Sequence, residues 1–128
     1  MNIQSIDYVV LVTGYLVACL HLYMDILGIR HEVYSGRHSL LLGNQKINIH
    51  TRPGQFQPAA RCPDTGNLDF CLVADDDIAD IIQTLQEKGV SCVAGPVARY
   101  GAWRQMDSVY VYDPDGNLVE IAVYREHG

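Results

Sequence analysis

Positive charge is scarce in this sequence. Nine Lys and Arg stand against fifteen Asp and Glu, a formal net charge of −6 over 128 residues, and the basic side chains form no run. Phosphate backbones are bound by clustered cations, so this balance argues against a nucleic-acid partner and against an anionic membrane surface. Long apolar runs are missing as well. The longest, Tyr15 to Leu27, is interrupted by His21 and Asp25 and falls short of the roughly 20 residues that span a bilayer. No charged leader-like segment precedes it, so the expectation is a soluble protein of the cytoplasm. The four cysteines, Cys19, Cys62, Cys71 and Cys92, show no C-x-x-C spacing and no His at zinc-knuckle distance. They are expected to be reduced thiols, not a disulfide or zinc framework.

What is present is strand and turn chemistry. Asp113-Pro114-Asp115-Gly116 is a turn signature, with Pro114 fixing φ and Gly116 free to take positive φ. Alternating runs flank it, Ser108–Tyr112 before and Leu118–Tyr124 after, so a hairpin is predicted. By period 2, Glu120 shares a strand face with Leu118, Ala122 and Tyr124. Either that face is solvated or the carboxyl points into a cavity and acts there.

Along the chain, Ile6–Val12 reads as a strand, and Tyr15–Leu27 as an amphipathic helix closed by Gly28. Strands are predicted at Arg30–Tyr34, Ser39–Leu42 and Gln45–Thr51, the last two joined by Gly43-Asn44. Residues 52–66 are rich in Pro, Gly and Gln and read as a linker. The pattern then restarts with a strand at Leu68–Ala74, an N-cap in Asp75-Asp76-Asp77 and a helix over Ile78–Lys88 ended by Gly89. A short strand is predicted at Ser91–Val93, ended by Gly95-Pro96, with a loop through Arg99-Tyr100-Gly101-Ala102-Trp103-Arg104 leading to the hairpin. A shift of 61 lays Leu72 on Leu11 and Gly89 on Gly28, and a shift of 72 lays Glu120 on Asn48. The chain is therefore an internal repeat of two β-α-β-β-β units, 5–51 and 67–124, within one domain spanning 1–128. Units this small pack sheet beside sheet with helices outside, an α+β architecture.

Ser5-Ile6-Asp7-Tyr8-Val9-Val10-Leu11, the helix end Leu22-Tyr23-Met24-Asp25-Ile26-Leu27-Gly28, and Asp113 to Glu120 together resemble the vicinal oxygen chelate superfamily. That family of paired βαβββ proteins includes glyoxalase I, extradiol dioxygenases and the fosfomycin- and bleomycin-resistance proteins. Gly43 to His50, Pro58-Ala59-Ala60 and Gly95 to Arg99 are further similar to a glyoxalase-domain subgroup. The resemblance implies a curved mixed-sheet cup with metal ligands projecting from the first and last strand of each module. Residue by residue, it puts Tyr8 where the family usually has His, Asn48 where glyoxalases have Glu, Asp69 at a second His place, and Glu120 where the family has Glu.

Both imidazoles are thus replaced. Tyr8, Asp69 and Glu120 offer only oxygen, a set that suits weakly held Mg²⁺ or Mn²⁺ more than Zn, Ni or Fe, and disfavours ring-cleaving dioxygenase chemistry. His50, two residues after Asn48, faces the same way and is a candidate to replace a lost imidazole. The implied catalytic set is Glu120, His50 and Tyr8, with Asn48, Tyr124, Tyr110, Arg99 and Trp103 as substrate contacts. Plainer readings stand beside these: Tyr8 as a core-edge tyrosine, Asp69 as a turn cap, His50 as a solvated strand end, and Arg99 and Trp103 as ordinary loop residues. The resemblance implies a small lyase- or isomerase-like enzyme acting on an oxygen-rich small molecule. The alternative is a ligand-sequestering protein of the bleomycin-resistance kind that catalyses nothing. Either is expected to be a homodimer.

Overall fold

The computed structural model describes residues 1–126. Its strands are β1 (Tyr8–Val12), β2 (Arg30–Tyr34), β3 (Arg37–Leu42), β4 (Gln45–His50), β5 (Asp69–Val73), β6 (Ala94–Tyr100), β7 (Gln105–Tyr112) and β8 (Leu118–Tyr124). Helix α1 (Leu16–Leu20) runs into a π-helical stretch, His21–Ile26, and α2 covers Ile78–Glu87. The order is β-α-β-β-β twice, and the chain divides into two compact units at Asn67/Leu68. Each unit holds one four-stranded mixed sheet, ordered β1-β4-β3-β2 in the first and β5-β8-β7-β6 in the second.

Strand register shows how closely the repeat is kept. In the first unit Val10 pairs with Asn48, and in the second Cys71 pairs with Glu120, which are the positions related by shifts of 61 and 72. The hydrogen bond that ends each parallel pair obeys the same relation: Thr13 N–H donates to the His50 carbonyl, and Ala74 N–H to the Ala122 carbonyl, both at 2.8 Å.

Each sheet buries one face, as a half-covered mixed sheet must. In the first unit Leu11, Leu40, Ile47 and Ile49 share that face by register, and Cys19, Leu22 and Tyr23 are the buried side of the helix. In the second, Val109, Val111, Val119 and Ile121 share a face and Leu85 of α2 is buried. The opposite face of the second sheet is partly covered too, since Met106, Ser108 and Ala122 are buried there.

Helix ends differ between the units. After α2, Gly89 N–H donates to the Gln86 carbonyl and Val90 N–H to that of Leu85, a Schellman closure with Gly89 at positive φ. After the π-helical stretch the same closure is one residue wider, with Gly28 donating to Met24 and Ile29 to Tyr23. The predicted continuous α-helix over Tyr15–Leu27 is therefore α only in its first part. Asp77 does occupy the N-cap of α2, yet its side chain makes no capping bond, and Asp80 is the acidic residue of the first turn.

The main departure from expectation is β6. A strand predicted at Ser91–Val93 and ended by Gly95-Pro96 is instead a strand at Ala94–Tyr100 that contains this dipeptide. The ladder to β7 shifts register between Ala94 and Val97, so the missing N–H of Pro96 falls at an irregularity where no ladder bond is lost. Gly95 has φ +103, and a Cβ there would lie 2.5 Å from the Ser108 carbonyl oxygen, so no other residue fits without displacing β7. Arg99 consequently belongs to a strand, not to a loop.

The hairpin β7–β8 is as expected, and its turn is held by two buried polar residues. Asp113 accepts from the backbone N–H groups of Asp115 and Asn117 and from the Asn117 side-chain amide, at 3.0, 2.9 and 2.8 Å. Asn117 Oδ1 in turn accepts from Leu68 N–H at 3.0 Å, which ties the start of β5 to the turn.

Candidate functional site

The hairpin register sets the surroundings of Glu120. Glu120 is paired with Tyr110 on β7 and with Cys71 on β5, and paired residues project to one face, so the three stand in a row. Glu120 is half-buried. The fully buried Ser108 hydroxyl donates to its Oε2 at 2.7 Å, a good O–H···O distance. The same carboxyl interacts with the Tyr110 hydroxyl and the Cys71 thiol. Burial, then the charge of Glu120 and its hydrogen bonding, push the Cys71 thiol up to about 11, even though part of Cys71 is exposed. Tyr110 is also held above the ordinary phenol value, first by burial and then by Glu120, against the opposing pull of Arg99. Both groups therefore stay protonated near neutral pH.

Arg99, paired with Met106 on β7, reaches this row from β6 through its side chain. Its Nε donates to the Tyr110 hydroxyl oxygen at 2.9 Å and one terminal nitrogen donates to the Ala98 carbonyl at 2.9 Å. Arg99, Tyr110 and Glu120, together with Asp69, Tyr112 and Leu118, line an open groove of about 420 Å³ on the second sheet. It carries one guanidinium, two carboxyls and two phenols, enough to orient a small oxygen-rich molecule and to move a proton at Glu120.

The donor set also tests the divalent ion that the family resemblance implies. In this groove Asp69 and Glu120 supply two carboxyls without imidazole or free thiolate, and among the described residues no three His, Cys, Asp or Glu side chains gather in a metal-ligating group. Zn, Ni and Fe, which want nitrogen or sulfur donors, do not fit it. A hard ion such as Mg²⁺ or Mn²⁺ would have only these two carboxyls and neighbouring hydroxyls.

Two further expected site residues, Trp103 and Tyr124, pack against each other outside this groove in the second unit. Trp103 lies in the four-residue β6–β7 turn, and its ring stacks on Tyr124 at 5.9 Å between centroids; Arg104 lies over the same Tyr124 ring at 4.8 Å. Gly101 permits this packing, because a Cβ there would stand 2.6 Å from the Tyr124 hydroxyl. Tyr124 is four residues beyond Glu120, roughly 13 Å along a strand, and neither it nor Trp103 lines the Glu120 groove. Tyr8, Asn48 and His50 belong to the first unit, where they share a face of its sheet with Ser39 and Lys46. Asn48 Oδ1 accepts from Ser39 Oγ at 2.9 Å. Burial and the neighbouring Arg37 charge lower the pKa of His50, whose ring packs edge-on against Phe56 at 4.9 Å. Tyr8 is largely exposed.

Sequence reasoning missed Ser108 and Cys71. Ser108 had a signal, since a hairpin folded at Asp113–Asn117 places residues 108, 110 and 112 on the face of Glu120. Cys71 also had one, because the repeat that relates Asn48 to Glu120 relates Val10 to Cys71.

A doubled β-α-β-β-β chain with a carboxyl on the last strand defines a protein of the glyoxalase fold. The family model described as the Glyoxalase/Bleomycin resistance protein/Dioxygenase superfamily matches residues 5–121, and the chain belongs to that superfamily. It is 37% identical over 125 residues to a virulence protein of Salmonella typhimurium, covering 97% of this chain and 87% of that protein. The crystal structure of that virulence protein aligns with a TM-score of 0.92, 36% identity, and coverage of 98% of this chain and 100% of that one. A glyoxalase domain-containing protein of Mycosarcoma maydis is 36% identical over 126 residues, 98% of this chain and 72% of the relative. An integron cassette protein of V. cholerae has a TM-score of 0.92 at 34% identity, with 98% of each chain covered.

Proposed function

We propose that this protein is a small lyase- or isomerase-like enzyme of the glyoxalase superfamily that moves a proton on an oxygen-rich small molecule, with Glu120 as the base. One observation carries this reading: the Glu120 carboxyl is half-buried in a groove whose Arg99–Tyr110 pair supplies donors beside it. A carboxyl is costly to bury unless its hydrogen bonds are met, and the Ser108 bond at 2.7 Å meets one of them from the same face of β7. In the proposed reaction Glu120 takes a proton from a carbon next to a carbonyl and returns it to the product, so the carboxyl is unchanged over the cycle. Arg99 and Tyr110 would hold the substrate oxygen on which charge develops. Mg²⁺ or Mn²⁺ would add at most a weak, oxygen-ligated polarising charge at Asp69 and Glu120. Cytoplasmic residence and action as a homodimer belong to the same reading.

Incubation of the protein in D₂O with small α-hydroxy and α-keto carbonyl compounds, followed by proton NMR, tests it. Loss of the α-proton signal of at least one compound above the buffer rate is the expected result. Saturable binding of such a compound without exchange would overturn the enzyme and favour the ligand-sequestering alternative.

A further inference from the structure

The first unit carries a pocket of its own, of about 180 Å³, on the open face of its sheet. Tyr34, Arg37, Ser39, Lys46, Asn48 and His50 line it, and register places these residues on one face across β2, β3 and β4. In a chain of net charge −6 this is a local inversion of sign, since two permanent cations and no carboxyl line the cavity. The only carboxylic side chain on this face of the four strands is Glu32, which pairs with Ser39 in register and does not line the pocket. Among the described residues neither Arg37 nor Lys46 forms an ion pair.

The donors are held in place by aromatic packing. The Arg37 guanidinium lies over the Phe56 ring at 3.9 Å, and His50 meets the edge of that ring at 4.9 Å. Phe56 comes from the segment after β4, which is turned back by Gln55: its Oε1 accepts from Thr51 N–H at 2.7 Å and from Thr51 Oγ at 3.2 Å. Stacking covers the face of a guanidinium and leaves its in-plane N–H groups free to donate. Asn48 uses its carbonyl oxygen on Ser39, so its amide hydrogens remain available.

We infer that this pocket binds a small oxyanion, a carboxylate or a phosphate, through Arg37, Lys46 and Asn48, with His50 as a further hydrogen-bond partner. Its size, several times the roughly 30 Å³ that a water takes in the liquid, suits a single such group. Arg37 supplies planar paired donors and Lys46 a point charge, and both favour oxyanions over neutral ligands. All of the residues that line the pocket belong to the first unit, and none of the observations used for it involves Glu120.

The test is a titration of the full-length ¹⁵N-labelled protein with sodium phosphate and, separately, sodium acetate, at constant ionic strength. Saturable amide shifts centred on residues 34–50 are expected for at least one anion. The preferred anion then tells whether the site reads a phosphoryl or a carboxylate group. Arg37→Gln and Lys46→Gln should each weaken that binding at least tenfold while keeping the parental spectrum elsewhere. Shifts that do not saturate, shifts centred outside this segment, or Arg37→Gln binding like the parent would overturn the inference. If Arg37→Gln fails to fold, the wild-type shift map and Lys46→Gln decide.

Discussion

At the scale of single residues, Glu120 organises its neighbours. It accepts from Ser108, raises Tyr110 and helps hold Cys71 protonated up to about 11. Part of the Cys71 shift comes from the charge of Glu120, so Glu120→Gln should lower the thiol pKa and increase the thiolate fraction at pH 8–9. Iodoacetamide labelling followed by peptide mass spectrometry should find Cys71 modified slowly in the parent and severalfold faster in the variant. Equal rates would mean that crowding alone holds the thiol protonated. Much of this environment is legible in the sequence, because period 2 and the hairpin turn place Glu120, Tyr110 and Ser108 on one face. Less legible is that Trp103 and Tyr124 satisfy each other away from the groove, since ring stacking across a turn leaves no mark in residue spacing.

At the scale of elements, the Asp113–Asn117 turn positions Glu120. Asp113 is buried and accepts three hydrogen bonds at its side chain. Asp113→Ala would leave two backbone N–H groups and the Asn117 amide without an acceptor, and each buried orphan costs about 1–3 kcal/mol. With some relief from water, a loss of about 2–3 kcal/mol is expected. Urea unfolding should show it as a lower midpoint at unchanged slope, and a variant as stable as the parent would show that the turn is set by Gly116 and the strands alone. Turn residues and strand period make this hairpin readable from the sequence alone. The same rules misplace β6, because Gly95-Pro96 ends most strands and is tolerated here only at a register irregularity whose partner strand lies downstream. The π-helical half of the first helix is illegible for a related reason: apolar spacing does not distinguish an i−4 from an i−5 hydrogen bond over so short a stretch.

At the scale of the whole chain, the repeat is the most informative signal. Two offsets, 61 and 72, match the Val10–Asn48 and Cys71–Glu120 register pairs. Neither unit closes its sheet, however. β1 and β5 are edges within their own sheets, and around β1 the residues Ile6, Tyr8, Val9 and Val10 are 66%, 54%, 40% and 37% exposed. Unpaired edges with apolar side chains invite pairing with another chain. A homodimer is therefore expected, and light scattering at tens of micromolar, an order-of-magnitude concentration for a modest interface, should give twice the 14.3 kDa chain mass. A monomer would contradict that expectation. No helix among the described residues is long and apolar enough to cross a membrane.

The central claim is that the carboxyl of Glu120 serves a substrate and not the fold. Gln keeps an oxygen that can accept the Ser108 hydroxyl, so Glu120→Gln should preserve the shape while removing the base. The most direct measurement is the rate of α-proton exchange in D₂O by this variant against the parent, with both melting curves recorded on the same samples. A loss of at least about 100-fold is expected, within the range general-base removal produces. The melting temperatures should differ by no more than about 1 kcal/mol of stability implies. A variant that exchanges protons at the parental rate, or that melts far below the parent, would contradict the account.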